Sequence, residues 1–336
     1  MKIYLTGGSG LLGSHFAELA TTQGAKVVAL VRPTSNTAFL SSLGVTLSTG
    51  NLLDGASLAA GMQGCDAVVH AASPIGGWGE PALYRQNTID GTRNAIAAMG
   101  ATGVKTLVYI STISVHGLDP IQGKPVSEAN GFGSRFLPYD HYGRAKVEAE
   151  QSVAQAHTTG KIQATTLRPG WMYGQRDQNS YGKLADMTKR GLGIKVGNGQ
   201  NQIALVYAGN VARAIWEALV KPSPDYRVYL CACDGKVTQS DYFASTARAT
   251  GATRGPIPLP KGLLLALGTV QELLSIALGY RMPVLLSRYV VHLLGSDWRF
   301  DQSHLESDLT CFPRVGYEQG FAATEEWYRA SRSGIR

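Results

Sequence analysis

The chain has 336 residues, 44% of them hydrophobic, and a formal net charge of +7. That length fits one large domain plus a smaller one, and the hydrophobic share is that of a water-soluble globular protein. No basic run or basic–aromatic cluster stands behind the positive charge, which argues against nucleic-acid binding and leaves solubility and attraction of an anionic ligand.

The first strand–turn–helix organises everything after it. Ile3 to Thr6 is a short apolar run; Gly7, Gly8, Gly10 and Gly13 follow, and a helical apolar pattern starts at Leu11 and continues through Leu12, Phe16 and Leu19. Glycines let the strand turn sharply, let a phosphate approach bare backbone, and let the helix pack close to the strand. The free N–H groups at that helix start, around Leu11 and Leu12, form an anion site of the kind that holds a dinucleotide pyrophosphate.

Lys26 to Val31 is a second buried strand, with Arg32 at its carboxyl end. NAD sites carry an acidic residue in this neighbourhood, whereas an arginine accommodates a 2′-phosphate, so NADP is expected, with NAD as the weaker option. Val45 to Thr49 reads as a third strand and Ala67 to His70 as a fourth, running into Ala71, Ala72 and Ser73. Small residues at that exit let a cofactor lie against the backbone. His70 reads as structural. Pro81 to Met99 is a long helix whose Asn87 is placed to bond a neighbouring strand or loop. Thr106 to Ser111 is the fifth strand, Tyr139 to Ala156 a long amphipathic helix, and Gln163 to Leu167 the sixth strand, closed by Arg168-Pro169-Gly170. This alternation predicts an α/β fold, a doubly wound parallel Rossmann sheet with helices on both faces, and ligands at the carboxyl ends of its strands. Thr6, Arg32, His70, Ser111 and Arg168 all stand at such ends.

The expected division is a dinucleotide-binding domain over residues 1–174, with 203–220 returning to it. Residues 175–202 and 221–336 form a smaller, mostly helical substrate portion. Asn179 to Arg190, Val211 to Leu219 and Gln239 to Ala249 read as helices, Ile203 to Tyr207 and Val228 to Cys231 as strands, and Gly255 to Pro260 as a stiff extended linker. Gly262 to Leu278 and Val284 to Leu294 are strongly apolar helical segments. Gln271 and Glu272 interrupt the first, which argues against a membrane span. A helix buried in the small domain or lining an apolar pocket is preferred over one resting on a bilayer. Glu325 to Arg332 is a surface helix. The four cysteines, Cys65, Cys231, Cys233 and Cys311, have neither metal-ligand nor C-x-x-C spacing. Reduced thiols in a cytoplasmic protein fit best, and no signal-peptide pattern is visible.

Tyr142 and Lys146 stand four residues apart on one helix face, after the fifth strand that leads to Thr112. A phenol is a poor base at neutral pH, and a nearby ammonium favours the phenolate. Lys146 is placed to do this for Tyr142, and the Thr112 hydroxyl to orient a substrate oxygen. Tyr139 has no lysine four residues on, and Ser111 points to the opposite face from Thr112.

The motifs TGGSGLLG (Thr6 to Gly13), NLLD (Asn51 to Asp54), HAAS (His70 to Ser73), NTIDGT (Asn87 to Thr92), ISTISVHG (Ile110 to Gly117), YGRAK (Tyr142 to Lys146) and LRPGWMYG (Leu167 to Gly174) resemble, in order and spacing, the extended short-chain dehydrogenase/reductases. The resemblance implies Gly7, Gly10 and Gly13 as phosphate-loop glycines, with Gly8 a tolerated extra. It makes Thr112 and Tyr142 catalytic and has Lys146 also bond the nicotinamide ribose. It sets Asn51 and Leu52 near the adenine and Pro169 near the carboxamide. RPGWMYG and Gly197 to Ala214 look most like the 3β-hydroxysteroid dehydrogenase group and its β-keto/hydroxy acid relatives. Trp171 stands where sugar-nucleotide epimerases and dehydratases usually show Asn. Trp298 to Asp301 followed by Phe312 to Tyr317 is a tail common in the superfamily.

The expected function is therefore an NADP(H)-preferring oxidoreductase for a ketone or secondary alcohol on a bulky apolar small molecule, sterol-like or a β-keto acid. The alternatives are a nucleotide-sugar epimerase or dehydratase, a non-catalytic dinucleotide-sensing scaffold, and a membrane-surface protein. A homodimer is compatible with the sequence.

Overall fold

The structure is a computed structural model; it describes residues 1–76, 78–119, 125–309 and 314–334. The first half is built from β1 (Lys2–Thr6), α1 (Leu11–Thr22), β2 (Lys26–Val31), α2 (Ala38–Ser42), β3 (Thr46–Thr49), α3 (Gly55–Met62) and β4 (Ala67–His70). There follow α4 (Pro81–Tyr84), a π-helical turn over Arg85–Asp90, α5 (Gly91–Thr102), β5 (Thr106–Ile110), α6 (His141–Thr158), β6 (Gln163–Pro169) and β7 (Trp171–Tyr173). The second half holds α7 (Lys183–Lys189), β8 (Ile194–Val196), β9 (Leu205–Tyr207), α8 (Ala208–Val220), β10 (Arg227–Cys231), α9 (Gln239–Thr250) and β11 (Ile257–Leu259). It ends with α10 (Lys261–Ala277), α11 (Arg288–Gly295), α12 (Ser303–Asp308) and α13 (Tyr317–Arg332).

Seven strands form one parallel sheet in the order β10-β6-β5-β4-β1-β2-β3. Strand order reverses between β1 and β4, and this crevice is where such sheets bind ligands. Register puts Thr6 level with His70 and Ile110 level with Leu167, so the strands end together. Buried Val, Leu, Ile and Ala residues, with Phe16, fill the face under α1 and α8; the opposite face is filled under α3, α5 and α6. Continuous apolar strands such as Val27–Val31 are what a sheet covered on both faces requires.

Several boundaries differ from the sequence reading. The helix expected from Tyr139 starts at His141, because the Asp140 carboxylate caps it by accepting from Gly143 N at 2.8 Å while Tyr139 sits at φ 66°. The Pro81–Met99 helix contains the π-helical turn and runs on to Thr102. Within it Asn87 Nδ2 donates to Leu83 O at 3.0 Å, a bond inside its own helix rather than to a strand or loop. The strand Arg227–Cys231 lies beyond residue 220 yet joins the main sheet beside β6. Part of the Gly255–Pro260 linker is a strand, β11, paired with β8. Cys311 and Phe312-Pro313 of the tail lie outside the described residues; Cys65, Cys231 and Cys233 are buried free thiols.

Candidate active site

The loop between β1 and α1 is shaped by contact, not only by flexibility. Gly7 has φ +77°, and a Cβ there would lie 2.9 Å from Ala72 N. A Cβ on Gly13 would stand 2.1 Å from Gly7 O, so helix and loop touch backbone to backbone. Gly8 is also closely fitted: its Cβ position lies 3.2 Å from Ala29 Cβ and 3.3 Å from Leu5 Cδ2. It packs onto the sheet and is not a spare residue. Gly10 is the N-cap of α1 and supplies no side-chain acceptor, which leaves the amides of the first turn, including Leu11 and Leu12, for an anion.

Ala71, Ala72 and Ser73 close the other side of the crevice. Thr6 Oγ1 holds this exit in place: it accepts from Ala72 N at 3.1 Å and bonds His70 Nδ1 at 2.8 Å. His70 Nε2 bonds Thr92 Oγ1 at 3.1 Å on α5, and Ser73 Oγ meets Thr88 Oγ1 at 2.9 Å. Burial lowers His70 to about 3, so it is a neutral crosslink between strand ends, as its sequence position suggested. Arg32 is exposed at the end of β2 and forms no ion pair among the described residues. Asn51 is exposed at the end of β3, where its carboxamide accepts from Leu53 N at 2.8 Å. Leu52 is buried beneath Gly91, whose Cβ would stand 3.0 Å from it. Pro169 ends β6, paired with Cys231.

Thr112 follows β5 and is buried, as is Lys146; Tyr142 is half-buried in the first turn of α6. Burial pushes the Tyr142 phenol up to about 12, opposed by a hydrogen bond from the Thr112 side chain and reinforced by the Asp140 carboxylate. Lys146 Nζ donates to Ile110 O at 2.9 Å and lies 5.2 Å above the Tyr109 ring. Burial lowers it to about 7, with Glu150 opposing. The ammonium is thus held by the Ile110 carbonyl, and the effects acting on the Tyr142 phenol are burial, then the Thr112 hydroxyl, then the Asp140 carboxylate. Ser111 Oγ, just past the end of β5, is buried with no hydrogen-bond partner among the described residues.

Three further residues belong to this centre. Thr112 Oγ1 meets Ser114 Oγ at 3.1 Å, and Ser114 Oγ meets Tyr289 Oη at 2.6 Å. Tyr84 packs edge-on against Tyr142 with ring centroids 6.0 Å apart. Trp78 Nε1 donates to Ser275 Oγ of α10 at 3.1 Å, and the Trp78 ring packs against Tyr139 and Tyr280. Both tyrosines have positive φ, 66° and 62°, a conformation few side chains adopt away from functional turns. Ser114 lies inside the quoted ISTISVHG motif, so local sequence could have shown it. Tyr289 is 175 residues away from Ser114 and no local spacing could.

A cradle that any side chain would fill, an uncapped helix start and an orphaned hydroxyl fit a nicotinamide dinucleotide along the sheet edge. The fold and this edge define an extended short-chain dehydrogenase/reductase, a Rossmann-type oxidoreductase. Residues 3–232 match the model of the NAD dependent epimerase/dehydratase family, and the chain belongs to that family. It is 30% identical to the 2-alkyl-3-oxoalkanoate reductase of Stenotrophomonas maltophilia, covering 95% of this chain and 97% of that one. It is 26% identical to the sterol-4-alpha-carboxylate 3-dehydrogenase, decarboxylating, of Dictyostelium discoideum.

 The aligned part makes up 79% of this chain and 82% of the Dictyostelium enzyme. The fold matches that of the Thermus thermophilus UDP-glucose 4-epimerase solved with NAD, at a TM-score of 0.76, 21% identity and coverage of 98% and 100%.

Proposed function

We propose that the chain is an NADPH-preferring reductase of 3-oxo acids carrying a bulky apolar body, run in either direction between ketone and secondary alcohol. The observation that carries this reading is the grouping of Tyr142, Thr112 and Lys146 at the end of β5, beside the glycine crevice. A bound nicotinamide supplies or accepts the two electrons of the reaction. The residues of the chain do the rest. Tyr142 gives a proton to the carbonyl oxygen in reduction, Thr112 orients that oxygen, and Lys146 keeps Tyr142 and the ribose side of the crevice in place.

The substrate class is supported by the activities after which the two enzyme relatives are named. One names a 3-oxo acid with an alkyl group on the carbon between the two carbonyl carbons; the other names a carboxylate beside the 3-position of a sterol. Both names describe an oxygen-bearing carbon next to a carbon attached to a carboxylate, on an apolar body. The aromatic roof of Trp78, Tyr139 and Tyr280 suits such a body. In a screen that follows NADPH consumption, 2-alkyl-3-oxo acids are expected to be turned over ahead of sterols, aryl ketones and sugar nucleotides. Turnover of sugar nucleotides alone would replace this reading with the epimerase or dehydratase one.

The cofactor preference rests on Arg32 and on its surroundings. No Asp or Glu occurs between Glu18 and Asp54, so the end of β2 offers a 2′-phosphate a cation and no opposing carboxylate. Arg32→Ala is expected to raise the Michaelis constant for NADPH about tenfold or more, as loss of a charge-assisted contact of about 1.5–3 kcal/mol implies. The constant for NADH should hardly change. An unaltered ratio of the two constants removes Arg32 from the site.

A further inference from the structure

Helix α10 is built inside out. Every exposed residue within it is Gly, Ala, Val or Leu. Leu263, Leu267, Val270, Leu273, Leu274 and Leu278 are between 46% and 55% exposed, and Leu285 beyond it is 87% exposed. The polar residues of the same helix face the protein. Gln271 Oε1 accepts from Leu285 N at 3.1 Å, and Glu272 is buried against Arg288 at 2.6 Å. Ser275 accepts from Trp78 and donates to Met282 O at 2.8 Å. The interruption at Gln271-Glu272, which in the sequence argued against a membrane span, is therefore the anchored side. The apolar stripe is what the helix presents to the outside.

A 17-residue helix is about 25 Å long, and no helix among the described residues is long and apolar enough to cross a membrane. An apolar stripe of this size on one side of a folded domain marks an interaction surface. The charges around it select the partner. Between Asp241 and Asp297 the one acidic residue is Glu272, and it is buried and paired. Lys261 opens α10 and Arg281 follows its end; neither forms an ion pair among the described residues, and Lys261 Nζ donates to Ser296 Oγ at 2.6 Å. Two copies of the chain joined across α10 would bring cation against cation, Lys261 against Arg281 in an antiparallel pair and like against like in a parallel one. An anionic lipid surface meets both features at once: leucines enter the acyl boundary and the cations meet the headgroups.

We propose that α10 and the Leu285 loop form a monotopic contact with an anionic phospholipid surface. The helix lies in the membrane plane and its polar side is held by Trp78, Arg288 and the protein beneath. The contact does not depend on the reaction proposed above, because flotation reads it without substrate. The full chain is mixed with vesicles of equal parts phosphatidylglycerol and phosphatidylcholine, and separately with phosphatidylcholine alone. The chain is expected to float with the anionic vesicles and to be released by salt. Leu267→Glu/Leu274→Glu and Arg281→Glu should each reduce the bound fraction tenfold or more, with circular dichroism unchanged. The proposal is overturned if the wild-type chain stays off anionic vesicles, or if binding survives Leu267→Glu/Leu274→Glu. It is equally overturned if the wild type is a dimer that ignores vesicles and this double variant is a monomer, since a second copy then covers the stripe.

Discussion

Tyr142→Phe is expected to lower turnover by about 10²–10⁴-fold while the chain still folds and binds its dinucleotide. The substitution removes one oxygen from a half-buried ring and keeps the edge-on contact with Tyr84, so packing barely changes. What it removes is the proposed acid. Burial and Asp140 hold the phenol at about 12, so it stays protonated from neutral pH to about pH 10 and is ready to give its proton in reduction. The opposite direction needs the phenolate. Oxidation should therefore accelerate with rising pH over the same range, whereas reduction should show no fall that titration of Tyr142 would cause. Single-turnover rates with NADPH, together with dinucleotide affinity measured by fluorescence, check the prediction. A variant that keeps a tenth or more of the wild-type rate takes Tyr142 out of the mechanism. Thr112→Ser should keep most activity and Thr112→Val should not, because the hydroxyl and not the methyl group meets the phenol.

The largest effect on stability is expected at the buried ion pair between β6 and α6. Arg168 donates through Nε and Nη2 to Glu150, and the two side chains are 4% and 1% exposed. Arg168 Nη1 also meets His116 Nε2 at 3.2 Å, and its guanidinium lies 5.2 Å from the centre of the Phe132 ring. Glu150→Ala leaves this cation buried with no carboxylate, which costs about 3–5 kcal/mol. A drop in melting temperature of roughly 5–15 °C should follow. Replacing both partners, as Glu150→Leu/Arg168→Met, removes the stranded charge and should recover most of the loss, because the desolvation of both ions disappears with them. A loss below about 1 kcal/mol for Glu150→Ala, measured by denaturant unfolding, would mean that water reaches Arg168. Arg168 directly precedes Pro169 at the sheet edge, so the single variant should also weaken dinucleotide binding.

Much of the fold could be read from the chain because its determinants are local. A glycine turn between an apolar strand and a helix, repeated strand–helix alternation and a Tyr–Lys pair at helical spacing each sit within a few residues. These features placed the first six strands in one parallel sheet. They also placed Gly7, Arg32, Ala72, Thr112 and Tyr142 along one edge of it. Features set by distant partners were hidden. Arg227–Cys231 became the seventh strand because β6 offers it an edge. Lys146 donates to a carbonyl on β5 that spacing along α6 does not reveal. For α10 the apolar composition was plain but its direction was not: Trp78, 197 residues from Ser275, together with the segment after the helix that carries Leu285 and Arg288, decides that its polar side turns inward.

The hydroxyls of Thr112, Ser114 and Tyr289 stand in a row, and in each link either oxygen is able to be the donor. Such a row has two polarities. In the proposed reaction, with every hydrogen pointing away from Tyr289, Thr112 would donate a hydrogen bond to a carbonyl oxygen; with every hydrogen reversed, it would offer a lone pair to an alcohol. The three hydroxyls interconvert by rotation about single bonds, with no heavy atom displaced and no bond of the row given up. One arrangement of heavy atoms would therefore serve both directions of the proposed reaction.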